Sequence, residues 1–151
     1  MPRQKLTDDE GVQLLARARL VRVAFQDEAA PYLIPLGYVW LHSALYGVTE
    51  PGRKTRVAEV NPTVAFQVDT STDTGLWEWD SVTGEGRFEL VTSDAEKRQA
   101  LSALQPLIGE APDWWGREQA ARIASGALVV WKIVPTSFSG CRYAPSWSVK
   151  Q

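Results

Sequence analysis

The sequence predicts a mainly β protein with some α-helix (α+β), folded as a small closed or split β-barrel with short helices at its rims. Several segments alternate apolar and polar residues, which is typical of half-buried strands. Short turn sequences join most of these segments, and this indicates antiparallel hairpins. One short helix separates two of the strands. About six strands and about four helices are predicted, and this proportion favours a barrel over a helical bundle.

The first half of the chain is predicted to contain one helix followed by hairpins. Thr7 and Glu10 match a capping box, and an apolar stripe follows them, so a helix is expected over residues 7–18. Asp27 and His42 lie in polar stretches that are predicted to be turns. The alternating segments that these turns separate are residues 20–25, 32–40 and 44–48.

The second half is predicted to return to long strands after a short helix. Gly84 and Gly86 fall inside a long strand pattern, where they indicate a bulge or a close approach of backbones. Ser93 and Glu96 match a second capping box. The segment 112–116 is expected to be a break in regular secondary structure. In order, the sequence predicts a helix at about 53–60, a strand at 63–69, a loop at 70–75, a strand at 76–91, a helix from 93, a helix at 117–125 and a central strand at 127–134.

Length and composition narrow the possible classes of protein. With 151 residues, the chain (1–151) is expected to be a single domain. Its formal net charge of −2 disfavours a nucleic-acid surface, and no apolar run is long enough for a membrane span, so neither nucleic acid nor membrane is an expected partner. The first residues do not resemble a secretory signal, so a cytoplasmic protein is expected. Because Cys141 and His42 are the only residues of their types, no metal site is expected.

An unusual concentration of positive charge lies at the start of the short helix near residue 53. Arg53, Lys54 and Arg56 fall in its first turn, where the helix dipole disfavours cations by about 0.3–1 kcal/mol each. Free backbone N–H groups at a helix start bind anions, so one explanation is a phosphate held by the Arg-Lys pair. The other is that Glu50 and Glu59 partly neutralise these cations and that all of them face water.

Several segments resemble one known family when they are considered together. The resemblance extends from about residue 6 to residue 143, and the Arg-Lys pair followed by Asn-Pro-x-Val is its most specific part. The family is the FMN-binding split-barrel family, which includes pyridoxamine 5'-phosphate oxidase and nitroimidazole-reductase-like relatives. The segments that carry it are Tyr32–Leu36, Leu45–Thr49, Gly52–Lys54, Asn61–Phe66 and Trp79–Val82 with Gly86.

The resemblance implies a six-stranded antiparallel split barrel, a homodimer, and an FMN cofactor in a groove between the two subunits. Arg53 and Lys54 would then hold the FMN phosphate. A second set would meet the flavin ring or ribityl chain or line the same groove, and it consists of Val48, Thr49, Ile34, Pro35 and Leu36. A third set matches a segment that approaches the cofactor from the partner subunit, and it consists of Trp79, Ser81 and Val82. The alternative for this third set is a cross-strand pairing of the tryptophan and an exposed serine.

The activity that the resemblance implies is an oxidoreductase acting on a small organic substrate. Two departures narrow it: the strand before Gly52 lacks the histidine of nitroimidazole-reductase-like members, and the segment Cys141–Trp147 lacks the Arg-x-His type segment of pyridoxamine phosphate oxidases. No catalytic residue is therefore assigned, and pyridoxamine phosphate is disfavoured as substrate. Alternatives are a deazaflavin-dependent reductase, a haem-binding relative and a non-catalytic flavin-binding or sensing module. The sequence assigns no role to Trp114, Trp115, Cys141 or Trp147.

Overall fold

The computed structural model describes residues 3–108 and 112–145, and eight strands in these ranges form one antiparallel sheet. The strands are β1 (Arg3–Lys5), β2 (Leu20–Gln26), β3 (Pro31–Gly37), β4 (Val39–Leu41), β5 (Ala44–Thr49), β6 (Thr63–Asp69), β7 (Trp79–Leu90) and β8 (Val129–Tyr143). The order across the sheet is β3-β2-β6-β7-β8-β5-β4, and β1 pairs with β8 outside this path. The strand at the C-terminal end is therefore central, as predicted.

Five α-helices and one short 3₁₀ turn lie around this sheet in the described ranges. They are α1 (Asp8–Arg17), α2 (Arg53–Val60), α3 (Ser71–Thr74), α4 (Asp94–Leu104), the 3₁₀ turn Gln105–Ile108 and α5 (Asp113–Ala124). The capping box predicted at the first helix is confirmed, because Thr7 Oγ1 accepts from the Glu10 N–H at 3.1 Å and a Glu10 carboxylate oxygen accepts from the Thr7 N–H at 3.0 Å. None of the helices in the described part of the chain is long and apolar enough to cross a membrane.

The core lies on the inner face of the sheet, where every second side chain is buried. Strand β6 shows this pattern, because Val64, Phe66 and Val68 are buried while the residues between them face outward or are half-buried. Burying alternate apolar side chains on one face stabilises the fold by roughly 25 cal/mol per Å² of apolar surface removed from water. Trp131 is fully buried and stacks on Phe88 with 5.5 Å between ring centroids.

Strands β3 and β5 stand far apart in the order of the sheet but approach each other in space. A Cβ atom at Gly47 of β5 would lie 2.7 Å from the carbonyl oxygen of Gly37 and 2.6 Å from Cε2 of Trp131, so only glycine fits there. No backbone pairing joins these two strands within residues 3–108. The sheet therefore curls until its two ends meet without closing, which confirms the α+β split-barrel prediction.

The strand count of six is too low, and two local features explain most of the difference. The short strand β1 carries no alternating pattern that would predict it. The strand predicted over residues 32–40 is interrupted at Tyr38, whose side chain turns into the core and whose hydroxyl donates to the Leu15 carbonyl at 2.7 Å. Burial raises the pKa of the Tyr38 phenol, which therefore stays protonated and continues to donate.

The long pairing of β7 with β8 contains the bulge that the glycines predicted. The register shifts between Glu85 and Gly86, and the partners on β8 jump from Ser137 to Pro135. A proline is tolerated at a bulge because no ladder hydrogen bond is required from its nitrogen. Beyond this bulge β8 continues to Tyr143, well past the predicted end at residue 134.

Three further boundaries differ from the prediction. The predicted loop 70–75 contains the short helix α3, whose first N–H, from Ser71, donates to the Asp69 carboxylate at 2.9 Å. The expected break at 112–116 is wrong, because α5 begins at Asp113 directly after Pro112, and a proline beside a helix start removes no needed hydrogen bond. Ser93 caps α4, but the carboxylate of Glu96 pairs with Lys132 at 2.8 Å and does not complete a capping box.

Candidate functional site

Helix α2 begins directly after the end of β5 and spans residues 53–60, as predicted. Gly52 occupies the N-cap position and offers no side chain to the helix, and the first turn contains no acidic residue. The Thr55 hydroxyl accepts from the Gly52 N–H and donates to the Gly52 carbonyl, at 2.9 Å in both cases, and this fixes the turn. The start of α2 is therefore ordered by the Thr55 side chain, which closes on the Gly52 backbone, and not by a capping carboxylate.

The first backbone donors of α2 are free in the described part of the chain. The Arg56 N–H donates to the Gly52 carbonyl at 3.0 Å, whereas the N–H groups of Arg53, Lys54 and Thr55 have no acceptor among residues 3–108 and 112–145. Unsatisfied N–H groups at the positive end of a helix form an anion-binding site. The local backbone therefore supplies donors to match the cations beside it.

The side chain of Arg53 is held in place from two sides. Its Nε and Nη2 atoms both donate to the same carboxylate oxygen of Asp27, at 3.2 and 3.0 Å. Its guanidinium lies over the ring of Tyr32, 4.0 Å from the centroid, and the side chain remains 50% exposed. This arrangement positions the guanidinium and leaves its remaining donors available, since no described residue accepts from Nη1.

The acidic residues named in the alternative explanation do not neutralise this cluster. Glu50 pairs with Arg122 of α5 at 2.6 Å, and Glu59 forms no ion pair within the described ranges. Asp27, which the sequence reasoning placed only in a turn, balances Arg53 instead. Lys54 and Arg56 have no acidic partner among the residues that the structure describes, so the start of α2 keeps a positive excess.

Strands β3 and β5 reach the same side of the barrel as the start of α2. Thr49 is buried at the end of β5, and its hydroxyl donates to the Glu50 carbonyl at 3.3 Å. On β3, Ile34 and Leu36 pack against the core, while Pro35 faces outward. The stacking of Arg53 on Tyr32 joins β3 to α2, and β5 runs directly into α2 after Val48 and Thr49. Tyr32 and Thr49 therefore lie near the start of α2, whereas Ile34 and Leu36 pack against the main core and Val48 packs against a second apolar cluster. A shared groove lined by the predicted residues stays a prediction.

The third predicted set lies elsewhere in the chain. Ser81 of β7 pairs with Asp69 at the last residue of β6, whereas α2 ends beside Thr63, the first residue of β6. The length of β6 therefore separates Ser81 from the end of α2. Trp79 stacks on its cross-strand neighbour Tyr143 with 4.9 Å between ring centroids, which is the cross-strand pairing of the alternative. Ser81 is half-buried and accepts from Gln67 at 3.1 Å. A contact between this set and a ligand at α2 requires a second subunit, and it stays a prediction.

Val82 differs from its two neighbours in the same predicted set. Its side chain is 0% exposed and belongs to the core of its own subunit, where it pairs with Val68. Only backbone atoms of Val82 can reach a ligand without opening the core.

The sequence model of the family described as pyridoxamine 5'-phosphate oxidase matches residues 7–142. The chain belongs to the pyridoxamine 5'-phosphate oxidase family. The match covers almost the same residues as the resemblance found in the sequence, which is thereby confirmed.

The chain is similar to one curated protein in sequence and to several solved structures in fold. An uncharacterised protein of Rhizobium meliloti (strain 1021) is 27% identical over 111 residues, covering 73% of this chain and 72% of that protein. The crystal structure of an FAD-binding protein from Mesorhizobium loti has a TM-score of 0.76 and 26% identity, covering 95% of this chain and 100% of the other. The crystal structure of a protein from Bacteroides thetaiotaomicron, described as a 5-nitroimidazole antibiotic resistance protein, has a TM-score of 0.70 and 17% identity. The match covers 95% of this chain and 90% of the other. The last likeness concerns the fold alone.

This family member also has a polar network on its outer face that the sequence reasoning missed. Arg22 Nη1 donates to Asp69 at 3.0 Å and to Gln67 at 3.1 Å, and Gln67 donates in turn to Asp69 at 2.9 Å. Burial raises the pKa of Asp69, but hydrogen bonds from Ser71 and Gln67 and the charge of Arg22 outweigh it and lower the pKa overall. The three polar residues occupy outward positions of β2 and β6, and this alternation is the signal that could have found them.

The residues to which the sequence assigned no role fall in different places. Cys141 is half-buried, and its sulfur accepts from Arg3 Nε at 3.2 Å. His42 is exposed in the turn between β4 and β5, and its positive φ of 50° is typical of such a turn. Trp114 is exposed on α5, Trp115 is half-buried, and Trp147 lies outside the described residues. Within those residues, no group of three or more His, Cys, Asp or Glu side chains could hold a metal ion.

Proposed function

We propose that this chain is an FMN-binding flavoprotein that acts as an oxidoreductase on a small organic substrate. The observation that carries this proposal is the start of α2, where free backbone N–H groups of Arg53 and Lys54 lie beside their own cationic side chains. A phosphate dianion matches both features, because charge-assisted hydrogen bonds are roughly twice as strong as neutral ones. Membership of the pyridoxamine 5'-phosphate oxidase family and likeness to a protein described as FAD-binding support a flavin as the bearer of that phosphate.

The residues at the site fit the chemical parts of FMN. Arg53 and Lys54 would hold the phosphate together with the free N–H groups of α2. Val48 and Thr49 would contact the ribityl chain or ring, and Ile34 would supply apolar surface beside them. A bound flavin supplies the hydride and electron chemistry, while the protein binds it, orients it and excludes water. The absence of a histidine from β5 is compatible with this division of work.

We also propose that the active form is a homodimer and that it is cytoplasmic. In this proposal Trp79 and Ser81 contact the flavin of the partner subunit, because within one chain they lie at the opposite end of β7 from α2. The edge strand β3 supports a second copy, since it presents Leu33 with 64% of its surface exposed next to the proposed groove. A single cysteine is consistent with a reducing compartment.

A second candidate is a non-catalytic flavin-binding or sensing module. One observation favours it: the carboxylate at the start of α2, that of Asp27, is already paired with Arg53, and no imidazole stands there to transfer a proton. A haem cofactor is less consistent with the chain, because histidine is a common axial ligand of haem iron and the single histidine, His42, lies in an exposed turn beside α4.

The test is a titration of the purified protein with FMN, FAD, haem and a deazaflavin, followed by anaerobic addition of NADH or NADPH. We expect saturable binding of one FMN per chain and bleaching of its visible absorption by a nicotinamide donor. A protein that binds haem or deazaflavin but no FMN contradicts the proposed cofactor. A protein that binds FMN but whose flavin is reduced by dithionite and by no nicotinamide is the sensing module.

A further inference from the structure

A cavity separate from the start of α2 lies at the opposite end of β2 and β6. It is bounded by the C-terminal turn of α1, the first residues of β2, the end of β6 and helix α3. Its volume is about 440 Å³, which falls within the range of roughly 300–1,000 Å³ for small-molecule sites. Nothing in the family resemblance places a residue of this cavity at the flavin.

Three arginines line this cavity. Arg22 is fixed in its wall by hydrogen bonds to Asp69 and Gln67 at 3.0 and 3.1 Å. Arg17 and Arg19 also line it, and neither forms an ion pair within residues 3–108 and 112–145. Arg17 at the C-terminus of α1 is favoured by the helix dipole, but Arg19 lies beyond the helix and gains nothing from it.

The acidic groups of the cavity do not cancel this charge. Asp69 is already paired with Arg22, and its pKa is lowered overall, so it is ionised and occupied near neutral pH. Asp73 of α3 is the other acidic residue of the lining, and it is exposed to solvent. Arg17 and Arg19, which are exposed and have no ion pair among the described residues, therefore outnumber the one exposed acidic residue, and the lining keeps a positive excess.

The rest of the lining is suited to an organic molecule with an apolar body. Leu14 is buried, Ala18 packs against the core, and Leu20 lines the cavity with 46% of its surface exposed. The Thr72 hydroxyl in the lining has no partner among the described residues, whereas the Thr70 hydroxyl accepts from the Asp80 N–H at 3.0 Å. Apolar surface beside a few polar groups is the usual composition of a ligand site.

We propose that this cavity binds a small organic anion, with Arg17 and Arg19 holding a carboxylate or phosphate ester and Ala18 and Leu20 contacting its apolar body. Guanidinium groups recognise both oxyanions through paired N–H donors. Arg22, fixed by Asp69, forms the rigid wall. Within one chain this cavity is separate from the start of α2, because the two lie at opposite ends of β2.

The test uses benzoate and phenyl phosphate as probes and benzyl alcohol as the neutral analogue. Titration of the isotope-labelled protein by NMR is expected to show saturable binding of both anions, with shifts at α1, β2 and α3. The Arg17→Gln/Arg19→Gln variant is expected to weaken this binding at least tenfold. The matched control Arg98→Gln/Arg117→Gln removes two positive charges from exposed positions elsewhere and is expected to leave it unchanged.

A second variant tests the cavity without altering its charge. Thr72→Trp fills the space from α3, and we expect it to abolish binding of both anions while thermal unfolding stays unchanged, because Thr72 is exposed. Equal binding of benzyl alcohol, equal weakening in the Arg98/Arg117 control, or unaltered binding to Thr72→Trp would overturn the proposal. A parallel loss of FMN affinity in the Arg17/Arg19 variant would also overturn it, because the two sites would then be one.

Discussion

Helices α1 and α2 begin in opposite ways within one small chain. The start of α1 is satisfied by its own side chains, since Thr7 and Glu10 form both hydrogen bonds of a capping box and the first turn is acidic. The start of α2 has Gly52 as its cap, and Arg53 and Lys54 occupy the positions where α1 has acids. The free N–H groups at the start of a helix need acceptors. Side chains of α1 supply such acceptors, whereas the first N–H groups of α2 have none among the described residues.

This difference makes the first turn of α2 locally less stable than the first turn of α1. A capping side chain stabilises a helix by about 1 kcal/mol, and cations at the first turn destabilise it by about 0.3–1 kcal/mol each. Helix α2 is held nevertheless by packing of Ala58 into the core and by the loop that Thr55 closes on Gly52. Packing therefore maintains the helix, and its start is free to meet an external anion.

The largest expected effect comes from removing the cations of α2. Arg53→Ala/Lys54→Ala should lower FMN affinity at least about 100-fold, because two hydrogen bonds to a charged group contribute roughly 1.5–3 kcal/mol each. Unfolding by urea should change by less than about 1 kcal/mol, since the Arg53–Asp27 pair is exposed. Fluorescence titration measures the affinity. Arg56→Ala is the control from the same turn, and an equal loss of affinity there would mean that general positive charge, not the Arg-Lys pair, binds the flavin.

Giving α2 the kind of cap that α1 has should weaken FMN binding about tenfold. In Gly52→Asp, the new carboxylate competes with phosphate for the free N–H groups, while helix stability should rise by a few tenths of a kcal/mol. The site can take the side chain, because a Cβ at Gly52 meets no atom within 4 Å. Gly52→Asn supplies the cap without the charge. If both variants keep the affinity of the wild type, no phosphate lies at this helix start.

Removing the cap of α1 should affect stability alone. Thr7→Ala should lower the free energy of unfolding by about 1 kcal/mol, because the Glu10 N–H loses its acceptor. FMN affinity should stay within twofold of the wild type, since α1 is satisfied internally. Chemical denaturation and the same fluorescence titration measure the two quantities. A change in FMN affinity as large as that of Gly52→Asp would show that the two helix starts do not differ in function.

The smallest expected effect concerns pH. The hydrogen bond from the Thr7 N–H is the main cause that lowers the pKa of Glu10 from its ordinary value of 4.5. A carboxylate with a lowered pKa stabilises the fold above its unfolded pKa and loses this contribution as pH falls through the folded one. The difference in Tm between wild type and Glu10→Gln should therefore be positive at pH 6 and shrink below about pH 4.5. A difference that stays constant down to pH 3 would contradict this linkage.

Much of the fold could be predicted because its elements carry local signals. Helix α2 and strand β6 have the predicted bounds, since charge pattern, alternation and the Asn61-Pro62 stop coincide there. Tyr38 could not be anticipated as the residue that divides β3 from β4, because its inward turn depends on the Leu15 carbonyl from α1. A short strand such as β1 exists only through pairing with β8, and three residues carry no pattern of their own.

The candidate site could be predicted only in part, for a similar reason. Arg53 and Lys54 were identified because their position in a helix conflicts with the dipole, which is a local property. Asp27 was missed as the partner of Arg53, since the contact joins the turn after β2 to α2. The pairing of Arg22 with Asp69 likewise depends on the register of β2 against β6. Contacts between distant segments are set by tertiary packing, which no local pattern records.

The role of the α2 start can be tested by comparing the dissociation constants of FMN and riboflavin for the wild-type protein. The two ligands differ only in the phosphate, so their ratio isolates the contribution of the free N–H groups, Arg53 and Lys54. We expect FMN to bind at least about 100-fold more tightly than riboflavin, by the same hydrogen-bond energies. Equal affinities for the two ligands would contradict a phosphate site at the start of α2.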